Sequence, residues 1–92
     1  MNKIQELMKD PATVVVDVRN SWEYEIDHIP GSKNIPLPEI IGKMEEFKSF
    51  NSPVVVYCQS GNRSGIAVNI LKQNGVDAIN GGPWQNVADC VR

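Results

Sequence analysis

The chain has 92 residues, room for one compact domain and too few for two. Its 41% apolar content fits a soluble globular fold, and a formal net charge of -2 argues against a broad nucleic-acid-binding face. No run approaches the roughly 18 consecutive apolar residues of a membrane span.

The opening, MNKIQELMKD, interleaves charge with apolar residues and lacks the apolar centre of a secretory signal, so a cytoplasmic location is expected. The two cysteines, Cys58 and Cys90, are too few for a disulfide scaffold or a four-ligand zinc site. In a reducing cytosol a bridge between them is disfavoured. No metal or organic cofactor is expected.

In chain order, Ile4, Leu7 and Met8 have helical spacing, and Asp10-Pro11 stops that first helix. TVVVDV (13–18) is a β-branched run without alternation, the mark of a strand buried on both faces. SWEYE starts a brief helix with Ser21 as its cap and Tyr24 placed to pack. HIPGSKNIP carries turn signals, with a short strand near Asn34-Ile35. Leu37, Ile40, Ile41, Met44 and Phe47 form an apolar stripe that predicts a helix over 38–48.

PVVVY (53–57) reads as a second buried strand. The next helix begins near Ser64, with Ile66, Ala67, Ile70 and Leu71 inward and Gly75 at its C-terminal cap. VDAIN (76–80) is a third main strand before a Gly81-Gly82-Pro83 turn, and Val87 and Val91 suit a short final helix. Strands alternating with helices imply parallel pairing and right-handed crossovers, hence a small three-layer α/β domain.

Cys58 directly follows the strand 53–57, at the carboxyl end where ligands gather in open parallel sheets. Gln59, Ser60, Gly61 and Asn62 are small or polar, with one glycine, so successive N–H groups can turn inward as an anion nest. The helix start near Ser64 adds its positive end, and Arg63 adds a permanent charge. All three favour a thiolate, the nucleophilic form of cysteine. The alternative is a cysteine packed as a small hydrophobe, which leaves the polar, glycine-bearing loop unexplained. The nucleophile reading requires amides facing the sulfur and a side chain that is not sealed in the core.

VVVYCQSGNRS resembles the active-site loop of the rhodanese-like sulfurtransferases, a Cys-x-x-Gly-x-Arg-Ser pattern. DVRNSWEYEIDHIPGSKNIP (17–36) is similar to that family's early motif, and INGGPW (79–84) to its Gly-Gly turn. The blocks occur in family order. Asp27 stands where the family usually has glycine, and Ser32 where alanine is common. The resemblance implies a rhodanese-like fold, a central parallel sheet of about four to five strands with helices on both faces, as one domain over 1–92. It also implies that Cys58 takes the outer sulfur of a small anionic donor such as thiosulfate and passes it, through a persulfide, to cyanide or a thiol. A persulfide-carrying protein is a further partner of that chemistry. Gln59, Ser60, Gly61, Asn62, Arg63 and Ser64 would then surround substrate and persulfide, with Arg63 helping to hold an anionic donor.

Two rival classes remain at this point. Cysteine phosphatases and arsenate reductases of the same fold use a loop one residue longer, whereas only four residues separate Cys58 from Arg63 here. A binding or regulatory module has no need of either residue. Asp17, Arg19 and Glu23 read as structural support of the site, with an ion pair expected between Arg19 and Glu23. His28, the only histidine, reads as a turn residue bonded to backbone rather than a general base. Trp22 and Trp84 read as packing residues, with Trp84 a candidate wall of the site, and Cys90 as buried on the last helix.

Overall fold

The structure, a computed structural model, describes residues 3–90. Helix α1 (Lys3–Met8) is followed by strand β1 (Val14–Asp17), helix α2 (Ser21–Ile26) and the two-residue strand β2 (Lys33–Asn34). Two 3-10 turns (Leu37–Glu39 and Ile41–Lys43) lead into α3 (Met44–Ser49). Then come β3 (Val54–Cys58), α4 (Asn62–Gln73), β4 (Ala78–Pro83) and α5 (Trp84–Ala88). The sheet has four strands in the order β2-β1-β3-β4. Every pairing is parallel, with Val14 opposite Val54 and Val54 opposite Ala78. Among the described residues no helix is long and apolar enough to cross a membrane.

The β-branched runs explain the central strands. All five residues of β3 are buried, as expected for a strand covered on both faces. Successive side chains alternate across the sheet. Val54, Val56 and Cys58 therefore join a core with Phe47 of α3 and Ala67, Val68 and Leu71 of α4. Val55 and Tyr57 join a smaller core with Ile29 and Val87, against which Leu7, Met8 and Trp84 pack. Burying each such aliphatic side chain contributes roughly 1.5–3 kcal/mol. The same alternation decides which face the thiol takes: it points toward α4.

Several elements differ from the sequence reading. The helix expected over 38–48 is broken into two 3-10 turns and the six-residue α3. Gly42 is a poor helix former, which favours the break, whereas Pro38 stands in the first turn, where proline is tolerated. Leu37, Ile40, Met44 and Phe47 still meet the core, but Ile41 is 72% exposed. Asn20, not Ser21, occupies the cap of α2, and its N–H donates to Glu23 Oε1 at 3.0 Å. Helix α4 starts at Asn62, two residues before the expected point.

Strand β4 continues through the expected Gly81-Gly82-Pro83 turn, because a bulge restores pairing: Asn80 lies opposite Val56, and Gly82 opposite Tyr57. Gly81 is the extra residue. A Cβ there would come within 2.6 Å of Val87 Cγ2, so only glycine lets α5 close on the sheet. Helix α5 ends at Ala88, and Val91, expected on it, lies outside the described residues.

Candidate active site

The polypeptide leaves β3 at Cys58 and enters α4 at Asn62, so Gln59, Ser60 and Gly61 form the whole connection. Gly61 takes φ of 98°, the left-handed region open to glycine, and a Cβ on it would lie 3.3 Å from Gly82 Cα. This turn aims the loop back at the sulfur. The Gly61 N–H donates to Cys58 Sγ at 3.0 Å and the Ser64 N–H at 3.4 Å, while Ser64 Oγ lies 3.4 Å away. Of the expected nest over Gln59 to Ser64, these two amides bond the sulfur at the distances given, and the Ser60 amide also faces it. Asn62 N–H turns instead to Ser60 Oγ at 3.5 Å.

Burial pushes the Cys58 thiol up. The Ser64 hydroxyl and the Ser64, Gly61 and Ser60 amides outweigh it, so the thiol lies below its ordinary value. Gly61→Ala should reverse part of this. We expect a loss of roughly 1–2 kcal/mol in stability from the left-handed alanine, read by urea unfolding. A rise in the midpoint of Cys58 alkylation against pH should accompany it, as the 61 amide swings away.

Cys58 has 0% of its surface exposed, contrary to the requirement that it not be sealed. The reason is its place: it is the last residue of the central strand, on the face covered by α4. The sulfur is held by Gly61 and Ser64 of the loop, whose Gln59 and Ser60 are themselves exposed.

The ion pairs differ from expectation. Arg19 does not meet Glu23. It grips Asp17, with Nη2 at 2.7 Å and Nε at 3.0 Å from Oδ2, and the Arg19 N–H adds a bond to Oδ1 at 2.8 Å. Asp17 and Arg19 are both buried. Arg19 also donates to the Asp27 carbonyl at 2.7 Å and lies 5.4 Å from the Trp84 ring centroid. The hub thereby joins the end of β1 to the segment after α2 and to α5. Adjacent Asp and Arg with opposite charge on one turn satisfy each other before a helical partner is reached.

Glu23 pairs instead with Arg63, at 2.8 Å to Nη1 and 3.1 Å to Nη2. One edge of the guanidinium thus faces a carboxylate, leaving less of it for an anionic donor than the sequence implied. The Arg63 hydrogen bond holds the Glu23 carboxyl at about 2 against the opposing push of burial. A carboxyl lowered in the folded state stabilises while ionised. Its contribution is complete above the ordinary value of 4.5 and is lost as pH falls toward about 2. Urea midpoints of Glu23→Gln should accordingly fall less steeply than those of the parent across that window.

His28 donates Nδ1–H to the Tyr24 carbonyl at 2.8 Å and stacks on the Tyr24 ring. Trp22 is not a packing residue: it is 61% exposed. With Ile26, Arg19, Glu23, Asp27, Gln59 and Trp84 it lines a cleft of about 330 Å³ beside the loop. Cys90 lies in the turn after α5, half-buried rather than buried, with its thiol donating to the Asn86 carbonyl at 3.3 Å.

One contributor escaped the sequence reading. Asn80 reaches the loop from β4, accepting from Ser64 Oγ at 2.6 Å and donating to the Gly61 carbonyl at 3.2 Å. Nothing in its local sequence marks it, since only strand order brings β4 beside β3.

The family model described as Rhodanese-like domain matches residues 1–85. The uncharacterized protein YqhL of Bacillus subtilis (strain 168) is 40% identical over 65 residues, covering 71% of this chain and 51% of YqhL. The putative sulfur carrier protein YrkF of the same organism is 37% identical over 75 residues, 82% of this chain and 40% of YrkF. The chain therefore spans about half or less of the length of these relatives. A structure described as rhodanese with anions from E. coli superposes with a TM-score of 0.75 at 32% identity, covering 83% of this chain and 92% of that one. With a parallel α/β sheet, a cysteine at the carboxyl end of its central strand and a family match over most of its length, the chain belongs to the rhodanese-like domain family.

Proposed function

We propose that the protein is a rhodanese-type sulfurtransferase whose Cys58 carries sulfur as a persulfide between a donor such as thiosulfate and a thiol or cyanide acceptor. The observation that carries this reading is the convergence of the Gly61 and Ser64 amides on Cys58 Sγ at the N-terminus of the 12-residue α4. YrkF's description as a putative sulfur carrier and the E. coli rhodanese support sulfur as the cargo.

In the first half-reaction the Cys58 thiolate attacks the outer sulfur of thiosulfate. A new S–S bond forms, the old one breaks, and sulfite leaves with its electron pair. Cyanide then attacks the outer sulfur of the persulfide, forming thiocyanate and returning the thiolate. No outside oxidant or reductant is consumed. Gly61 and Ser64 amides bear the charge on Cys58, and Gln59 and Ser60, exposed above it, meet whatever approaches. Arg63 draws an anionic donor with the charge that Glu23 leaves uncompensated. Asp17 and Arg19, with Glu23, hold the surrounding segments in place, and His28 pins the turn after α2. Because Cys58 is fully buried, transfer requires the loop over it to open a path to the sulfur.

That burial is the one observation favouring a second reading, a regulatory or binding module without turnover. Steady-state kinetics with thiosulfate and cyanide separate the possibilities. Parallel double-reciprocal lines, the mark of two half-reactions, are expected. Release of phosphate from an aryl phosphate with no thiocyanate formed would replace the proposal with a phosphatase. Neither product would leave the binding module.

A further inference from the structure

The hydroxyl of Ser64 has one proton and three acceptors in reach. Asn80 Oδ1 is nearest at 2.6 Å, the Gly61 carbonyl lies at 3.1 Å, and Cys58 Sγ at 3.4 Å. Neutral sulfur is a weak acceptor, so distance and acceptor strength both give the proton to Asn80 while Cys58 is a thiol. A sulfur anion changes the balance, because a charge-assisted hydrogen bond is roughly twice as strong as a neutral one.

Asn80 is held for this role. Its Oδ1 also accepts the Gly82 N–H at 2.8 Å, so the oxygen keeps a partner when the Ser64 proton turns away. Its Nδ2 donates to the Gly61 carbonyl at 3.2 Å, which fixes the orientation of the amide and, with the Gly65 N–H at 3.0 Å on the same oxygen, leaves that carbonyl a weaker competitor for the Ser64 proton. The bulge at Gly81 is what carries Asn80 and Gly82 together to the loop.

We infer that Asn80 is a positioning residue that acts through Ser64: its carbonyl withholds the Ser64 hydroxyl proton from the resting thiol and yields it as the sulfur becomes an anion. Asn80 thereby sets how much of the cysteine is thiolate without touching the sulfur. The inference rests on Cys58 being the nucleophile of the proposed transfer, but its test reads the thiol directly and stands whether or not sulfur moves.

The charged groups already around the loop stay fixed in this comparison, and only Asn80→Asp adds one. Arg63 on α4 faces Glu23 on α2, Arg19 faces Asp17 at the end of β1, and Glu39 is exposed on the first 3-10 turn. Strand β4 contributes no charge.

The experiment is the rate of Cys58 alkylation against pH in the Cys90→Ala background, where only one thiol reacts. Asn80→Ala frees the Ser64 proton, for which the Gly61 carbonyl at 3.1 Å then competes with the sulfur; the anion is the stronger acceptor, and the midpoint should move down by up to about half a unit to one unit, the worth of one hydrogen bond. Asn80→Asp keeps the acceptor and strengthens it, and should move the midpoint up. With Ser64→Ala already in place, Asn80→Ala should move nothing. Asn80 is exposed, so neither change removes core packing. Shifts of the same sign in the two variants mean a general disturbance of the loop and overturn the inference. So does an unmoved midpoint in Asn80→Ala, or an equal shift when Ser64 is absent.

Discussion

Cys58→Ser should fold as the parent does and transfer no sulfur. Serine is nearly isosteric with cysteine, and its oxygen can accept the same Gly61 and Ser64 N–H bonds that now reach Sγ at 3.0 and 3.4 Å. We therefore expect a change in unfolding free energy within about 1 kcal/mol. A hydroxyl carries almost no anionic fraction near neutral pH, even among amides that lower a thiol, and oxygen cannot store sulfane sulfur as a persulfide. Turnover with thiosulfate and cyanide should drop to the uncatalysed background. Residual turnover in this variant would move the nucleophile elsewhere, and Cys90, the other thiol, would be the next to test.

The largest effect on stability is expected from Arg19→Ala. Asp17 is fully buried, and the Arg19 guanidinium supplies most of its compensation. Removing the arginine leaves a carboxylate in the core that keeps the residue 19 N–H, at 2.8 Å, and the Tyr57 hydroxyl as donors but has lost its counter-charge. Breaking one side of such a pair costs about 3–5 kcal/mol. A domain of this length has roughly 5–14 kcal/mol in total, so the variant should sit near the edge of folding. Asp17→Asn with Arg19→Met removes both charges together and should recover much of that loss. A urea midpoint for Arg19→Ala close to the parent's would mean that Asp17 is hydrated or neutral, and that the hub does not brace the site.

The strands and the place of Cys58 at a strand end were legible in the sequence because each rests on local pattern. The β-branched runs at 13–18 and 53–57 both appear as strands, β3 buried throughout and β1, over Val14–Asp17, buried in its second half and half-buried at Val14 and Val15. Cys58 at a strand end, followed by a glycine-bearing turn into a helix, places amides near the sulfur from local order alone. What escaped depends on contacts between distant segments. Glu23 was matched to Arg19 by helical spacing, but Asp17 lies nearer to Arg19, and the fold brings Arg63 to Glu23. Ile41 fits the apolar stripe of an ideal helix, yet the segment winds as two 3-10 turns, with the poor helix former Gly42 in the second, and Ile41 lies outward.

The β4 bulge is another such case. A glycine pair followed by proline reads as a turn, whereas here the extra residue lets the strand stay paired and present Asn80 to the loop. The full burial of Cys58 also follows from tertiary cover. The sequence shows that a thiol ends a strand, but the closeness of α4 over it is set by Ala67, Val68 and Leu71 packing against Val54 and Val56.

The most direct measurement is the intact mass of the protein after exposure to excess thiosulfate and removal of small molecules. The account predicts a gain of one sulfur atom, located on Cys58 by fragmentation, absent from Cys58→Ser and stripped by cyanide. A protein that takes up no sulfur from thiosulfate or from a small thiol persulfide, or takes it up only on Cys90, would contradict it.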